Sequence, residues 1–275
     1  MVIMEVIFCI MLFCMGAVFG SFFTLAVYRI PLGLDITHER SFCPNCNHRL
    51  EFIDLIPIVS YLSIGGKCRY CGQPIRIRYL LLEVLSGTVF VVAYFAFKLS
   101  FPFFEMSSIA QIVAFVMFYI TNAIILGIDK EYLQIDKRVL LFGIITQSLY
   151  MVYLCAFEGA SLLRYMICLA MLLGLFCLDT WSLKKKEKSY YWTQILMLFV
   201  YEISFIDNWK IILGTIVGSG IVYMCYRVFK IWGHFSKFKD EHGKISSNLE
   251  NARVPIGFCM TLASIVSVLV GNIIL

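Results

Sequence analysis

The sequence predicts an all-α polytopic membrane protein of about eight transmembrane helices, with a small cytoplasmic zinc-knuckle loop between helices one and two. Three observations predict it. The composition is 60% hydrophobic and only 15% charged, and the mean hydropathy is +0.84, far more apolar than a soluble domain. The apolar residues gather in runs of about 20, the length a helix needs to cross a bilayer core of about 30 Å. Four of the 11 cysteines stand in two paired motifs inside a polar stretch between the first two runs.

The runs lie near 6 to 28, 81 to 100, 107 to 128, 139 to 157, 161 to 183, 190 to 206, 211 to 232 and 254 to 275. The sixth is the shortest. The first continues past Gly20 and Ser21 into Phe22, Phe23 and Leu25 and lacks a basic leading region, so it reads as a retained helix rather than a signal peptide.

Lysine and arginine set the orientation, because positive loops resist translocation. The loop after the first helix holds Arg40, Arg49, Lys67, Arg69, Arg76 and Arg78. Later alternate loops hold Lys130, Lys137 and Arg138, then Lys184 to Lys186 and Lys188, then Lys237, Lys239, Lys244 and Arg253. The opposing loops carry little beyond Lys98, Arg164 and Lys210. The cysteine loop is thereby expected in the cytoplasm and both termini outside. The net charge of +5 is a topology signal with some attraction to anionic lipid; no basic, aromatic-interleaved soluble domain points to nucleic acid as a partner. No low-complexity segment or obvious internal repeat stands out. The organisation reads as a first transmembrane helix over 1–30, the four-cysteine loop over 31–79 and a helical membrane body over 80–275.

Cys43-Pro-Asn-Cys46 and Cys68-Arg-Tyr-Cys71 are two CxxC knuckles separated by residues 47–67, close to the spacing that places four thiolates around Zn²⁺. Pro44, Asn45 and Gly72 supply turn-forming residues that let backbone N–H groups approach the sulfurs. Zinc would staple a loop too short for its own core. Four thiolates fill a tetrahedral shell, so such a metal is structural. Disulfides are the bland alternative, disfavoured in a reducing compartment. His48 reads as a surface residue rather than a fifth ligand. Cys9, Cys14, Cys155, Cys168, Cys177, Cys225 and Cys259 fall within the apolar runs and read as packing.

Several of these residues also resemble a family. Gly20-Ser21-Phe22 running to Tyr28-Arg29-Ile30-Pro31, then Ser41 to Cys46, Asp54-Leu55-Ile56-Pro57, Ser60-Tyr61-Leu62, Gly66 to Gly72, Ile75, Arg78-Tyr79 and Glu83 resemble, in unbroken order, the type IV prepilin leader peptidase / N-methyltransferase family. Val254-Pro255-Ile256-Gly257-Phe258 is similar to that family's closing motif. Thr24, Leu55, Leu80 and Phe258 depart from it, standing where the family usually has Asn, Asn, Pro and Pro.

The resemblance implies a multi-pass protein of the bacterial inner (plasma) membrane acting on a prepilin-like or pseudopilin substrate. It implies aspartic peptidase chemistry followed by N-methylation of the new terminus. Two carboxylates are needed because one must take the proton of the attacking water while the other donates to the carbonyl oxygen. Ile128-Asp129, followed by Leu133, Ile135 and Arg138, matches the first acid, which makes Asp129 the catalytic candidate. The second belongs to a Gly-x-Gly-Asp motif. Ser189-Tyr190-Tyr191-Trp192 occupies that register, so an indole replaces the carboxylate and both glycines are gone.

Asp179, Glu187 and Glu202 are the nearby acids that could substitute. Asp179 is the preferred one because a carboxylate in an apolar run often marks function; Glu187 sits among lysines, and Glu202 is expected to point toward the far side. S-adenosylmethionine is the methyl donor implied by the resemblance, but no Gly-rich nucleotide motif locates its contacts, although Asp54 and Glu83 match family positions. Three readings follow: a prepilin peptidase-like enzyme, a catalytically inactive relative that binds prepilins or assembly components, and a transporter with a zinc loop. The last would need a path of intramembrane charges, for which Glu5, Glu83 and Asp179 are too scattered.

Overall fold

The computed structural model describes residues 2–38, 40–43, 45–99, 105–132, 134–159, 162–184, 190–206, 208–238 and 255–274; the side chains of 2, 162, 164, 179–184, 190–193 and 229–238 stand outside that description. The described residues are helical, with no strand beyond two isolated bridges. In chain order the helices are α1 (Val2–Leu32), α2 (Val59–Ser63), α3 (Arg78–Ala96), α4 (Met106–Tyr132), α5 (Lys137–Phe157), α6 (Leu162–Lys184), α7 (Tyr190–Phe205), α8 (Trp209–Phe238) and α9 (Ile256–Ile274), with a 3₁₀ turn at Phe52–Leu55. Among the described residues, six helices are long and apolar enough to cross a membrane: α1, α3, α4, α5, α8 and α9. Tyr165–Leu178 and Gln194–Phe205 are shorter apolar stretches. These eight segments coincide with the eight apolar runs of the sequence.

The chain divides into two compact units, Met1–Val113 and Ala114–Leu275. In the first, α1 lies directly on α3, and glycine makes this possible. A Cβ at Gly16 would come 2.6 Å from the Ser86 carbonyl oxygen, and one at Gly20 would come 2.7 Å from that of Leu82. Across the same seam, a Cβ at Gly87 would strike the Phe13 ring at 2.8 Å. Two apolar helices in lipid gain nothing by hiding from water, so their association rests on close backbone packing of this small-xxx-small kind. Phe19 stacks on Phe90 at 5.5 Å between ring centroids, and Leu12, Tyr94 and Leu99 form a cluster that also takes in Ile112 from the start of α4.

In the second unit, Gly143 of α5 gives close approach to Thr121 and Tyr201, and Phe118 of α4 stacks on Phe205 of α7 at 4.2 Å. Helices α8 and α9 pair similarly, Gly271 lying against Ile211. Helix α5 starts at Asp136, whose side chain accepts from the Arg138 N–H at 2.8 Å, the N-cap that satisfies an otherwise orphaned donor.

Candidate metal centre and aspartate site

The cysteine loop is built from its two ends. Arg29, on the last turn of α1, is buried, and its guanidinium donates to the carbonyls of Asp35 (2.8 Å) and Arg40 (3.1 Å). The Asp35 carboxylate turns the intervening chain by accepting from the Thr37 N–H (2.7 Å) and hydroxyl. These hydrogen bonds, led by the Thr37 N–H, hold its carboxyl well below the usual range. The loop is thus folded back onto the end of α1 by a residue whose charge alone gave no hint of it.

The two knuckles are copies of one another. In the first, Cys43 N–H donates to the His48 carbonyl, Asn47 N–H to the Cys43 carbonyl and Leu50 N–H to the Ser41 carbonyl. In the second, Cys68, Gly72 and Ile75 donate to Gln73, Cys68 and Gly66 in the same pattern. The bridges Phe42↔Arg49 and Lys67↔Pro74 close each knuckle alike. Asn47 (φ 56°) and Gly72 (φ 70°) occupy the equivalent left-handed position, which Gly and Asn tolerate best. Sequence reading finds no internal repeat because the shared element is this backbone pattern, with little residue identity beyond the cysteines.

The four sulfurs converge: the Sγ atoms of Cys43, Cys46, Cys68 and Cys71 all lie within 4.8 Å of one another, with Cys43 and Cys71 at 3.9 Å. A tetrahedral Zn–S₄ centre with Zn–S of about 2.3 Å has sulfurs roughly 3.8 Å apart, so the donors fit a metal ion. Asn45 of the first knuckle donates to Cys71 Sγ of the second at 3.6 Å. The Gln73 N–H, with Asn45, brings the Cys71 thiol down to about 7, and the Cys46 N–H lowers Cys43. Cys46 accepts from the His48 N–H yet is pushed up to about 11 by desolvation and its sulfur neighbours. A metal replaces the protons that four crowded thiolates cannot all release unaided. Among the described residues the cysteines are all free thiols. His48 lies outside the sulfur set, its ring 3.6 Å from that of Tyr70.

Asp54 and Glu83 act as struts. Asp54 joins the 3₁₀ turn to the second knuckle through Arg69 Nε (3.0 Å) and the Tyr70 hydroxyl (3.0 Å). Buried Glu83 reaches from α3 to accept the Ile58 N–H at 2.7 Å. Ile58 has φ 64°, an outlier for a β-branched residue, held where α2 begins.

In the second unit Asp129 is fully buried on the last turns of α4. Its Oδ2 accepts from the Phe258 N–H at 2.8 Å, and a Cβ on Gly257 would sit 3.1 Å from the same oxygen. The carboxylate therefore rests on the N-terminus of α9, where unpaired N–H groups and the helix dipole favour a negative charge. Lys130 extends over the Phe258 ring at 5.5 Å.

Of the substitute acids, Asp179 belongs to α6 and its side chain lies outside the described residues, as does that of Trp192 in the first turn of α7; Glu187 lies outside them altogether. Glu202 is fully buried inside the unit, and its Oε1 accepts from the Ser264 hydroxyl at 3.2 Å. Ser264 stands two turns beyond Gly257 on α9, roughly 10 Å along the axis at about 1.5 Å per residue, so the Asp129 and Glu202 contacts belong to different levels of that helix. Gln194, two residues past Trp192, is fully buried with neither amide atom hydrogen-bonded among the described residues.

The N-terminal region matches the family described as Bacterial Peptidase A24 N-terminal domain over residues 14–97. Among known proteins, the chain is 42% identical over 84 residues to a prepilin leader peptidase/N-methyltransferase of Myxococcus xanthus (strain DK1622), covering 30% of this chain and 25% of that protein. A protein of the same name from Klebsiella pneumoniae is 41% identical over 88 residues, covering 30% and 39%. One from Bacillus subtilis (strain 168) is 36% identical over 131 residues, covering 48% and 49%. These matches span less than half the length of each relative. No solved structure matches. Over residues 14–97 the chain thus carries a Bacterial Peptidase A24 N-terminal domain and is similar there to prepilin leader peptidase/N-methyltransferases, while its sequence holds no Gly-x-Gly-Asp motif.

Proposed function

We propose that this protein engages prepilin-like substrates in the bacterial inner membrane without hydrolysing their leaders, its zinc-stapled loop facing the cytoplasm. The observation that carries this reading is the bond from the Phe258 N–H to Asp129 Oδ2 (2.8 Å). Proline, the family's usual residue at that place, has no N–H to give. The one acid that matches the family's catalytic pair is here anchored as the N-terminal partner of α9, while Trp192 fills the register of the other. A single carboxylate can accept a proton from water but cannot at the same time protonate the carbonyl oxygen.

Zinc is the metal that four thiolates in tetrahedral reach select in a reducing compartment. Bound by Cys43, Cys46, Cys68 and Cys71, it would fix the loop's fold. The relatives' name also includes N-methyltransferase; methyl transfer from S-adenosylmethionine is the corresponding expectation for this chain, associated with the loop region. The residue division 1–30, 31–79 and 80–275 assigns these roles to a first helix, a loop and a peptidase-like body.

The rival reading is an active peptidase in which Asp179 supplies the second carboxylate. The two separate on one experiment: purified chain in nanodiscs is mixed with a leader-bearing prepilin, and both retention and mass are followed. The proposal expects co-purification of full-length prepilin. A shortened product that disappears in Asp129→Asn would establish hydrolysis instead, and its further loss in Asp179→Asn would name the substitute acid.

A further inference from the structure

The stretch between the knuckles, Phe52-Ile-Asp-Leu-Ile-Pro-Ile-Val-Ser-Tyr-Leu-Ser-Ile64, is strongly apolar, yet neither the 3₁₀ turn nor α2 buries a single residue. Phe52 is 82% exposed and Leu62 64%, with Ile53, Leu55 and Val59 also exposed. An apolar surface of this density is not left to water. Polar side chains hold the segment from the other direction. Asp54 is engaged by Arg69 and Tyr70, and the Tyr61 hydroxyl donates to the Ile75 carbonyl. The large apolar groups are thereby left pointing out.

What covers them follows from where the segment is tied. Ile58 N–H is fixed to Glu83, the sixth residue of α3, and α3 is long and apolar enough to cross a membrane from Arg78 onward. Glu83 lies about 7 to 8 Å along that helix at about 1.5 Å per residue, and its side chain slopes back toward the N-terminus. The junction of the 3₁₀ turn and α2 therefore sits within the first turns of a helix that is entering lipid. Ile77, immediately before α3, is exposed in the same way. At that depth the neighbouring medium is the boundary of headgroups and acyl chains, where short amphipathic segments lie in the plane of the membrane.

We infer that residues 52–64 form an interfacial anchor, with Phe52, Ile53, Val59 and Leu62 inserted into the phospholipid leaflet beside α3, so that the metal-binding knuckles are carried on the membrane surface instead of swinging free on two tethers. The positive φ of Ile58 fits this role. The chain turns tightly there, the Val59 N–H donating to the Pro57 carbonyl, while the Ile58 N–H is satisfied by Glu83.

The test places an environment-sensitive fluorescent amino acid at position 52, 62 or, as a control on the knuckle, 49, in the full chain in phosphatidylcholine nanodiscs. Some of the lipids carry a nitroxide on the upper acyl chain. Quenching at 52 and 62 is expected to exceed that at 49 several-fold, with iodide in the water showing the opposite order. Equal lipid quenching at all three sites, or iodide quenching at 52 and 62 matching that at 49, would overturn the anchor. A second arm uses Phe52→Ser/Val59→Ser/Leu62→Ser, which should keep its bound metal. Loss of the metal would mean that these side chains pack inside the loop, which also overturns the inference.

Discussion

The cysteine loop and the aspartate site are both candidate centres, and they are specified in different ways. The loop is assembled from residues near one another in the chain. Each knuckle closes over a few residues, Asp54 ties the 3₁₀ turn to the second knuckle, and Arg29 and Glu83 attach the loop to α1 and α3 within one compact unit. The aspartate site brings together residues more than a hundred positions apart, Asp129 on α4 and Phe258 on α9, and aspartic peptidase chemistry there would need a further acid. A local site survives divergence if a few residues persist. A distributed one is more easily lost, and the proposed function takes Trp192 as such a loss.

The sharpest way to break the contrast is to remove a thiolate. In Cys68→Ser, bound zinc measured by elemental analysis should fall from about one per chain toward zero. Proteolysis should then open residues 33–77 while α1 and α3 stay protected, because metal binding of this type contributes on the order of 10 kcal/mol of folding free energy. Retention of stoichiometric zinc would show that the cluster is not the metal centre.

Next in size is Gly20→Leu. With backbone of Leu82 and Glu83 already against that position, the α1–α3 seam must separate. Unfolding in detergent should show a loss of about 3 kcal/mol, the upper part of the overpacking range. Arg29→Ala removes two charge-assisted bonds to backbone carbonyls, each contributing roughly 1.5–3 kcal/mol. Hydrogen exchange over 33–41 should rise while the knuckles keep their metal. The smallest effect is expected for Glu83→Gln, which keeps an acceptor for the Ile58 N–H and weakens it by about 1 kcal/mol; exchange at that amide reports it.

Much of the first region was legible because its signals are residue types at fixed spacing. CxxC pairs, turn residues beside them and apolar runs of membrane length need no tertiary information. What escaped the sequence was pairwise. Gly16 and Gly20 stand four apart in α1, a small-xxx-small spacing that was readable, but their seat against Ser86 and Leu82 was not. Arg29 counts as one more charge until its carbonyl acceptors are known. The contact of Glu202 with Ser264 is not legible either, because which face of α7 meets α9 is decided by packing that a single apolar run does not encode. The knuckle repeat was hidden for the same reason, being written in N–H to C=O directions. Asp129 stands out by resemblance alone, whereas the role of Phe258 lies in its N–H, which donates to that carboxylate.

The central claim is that the aspartate centre lacks its second acid and has its first one anchored. The most direct measurement is mass spectrometry of a leader-bearing prepilin incubated with either the native chain or the variant Ser189→Gly/Tyr191→Gly/Trp192→Asp/Phe258→Pro. The account predicts an intact prepilin with the native chain and a leader-less product with the variant, abolished when Asp129→Asn is added. Cleavage by the native chain that depends on Asp129 would contradict it.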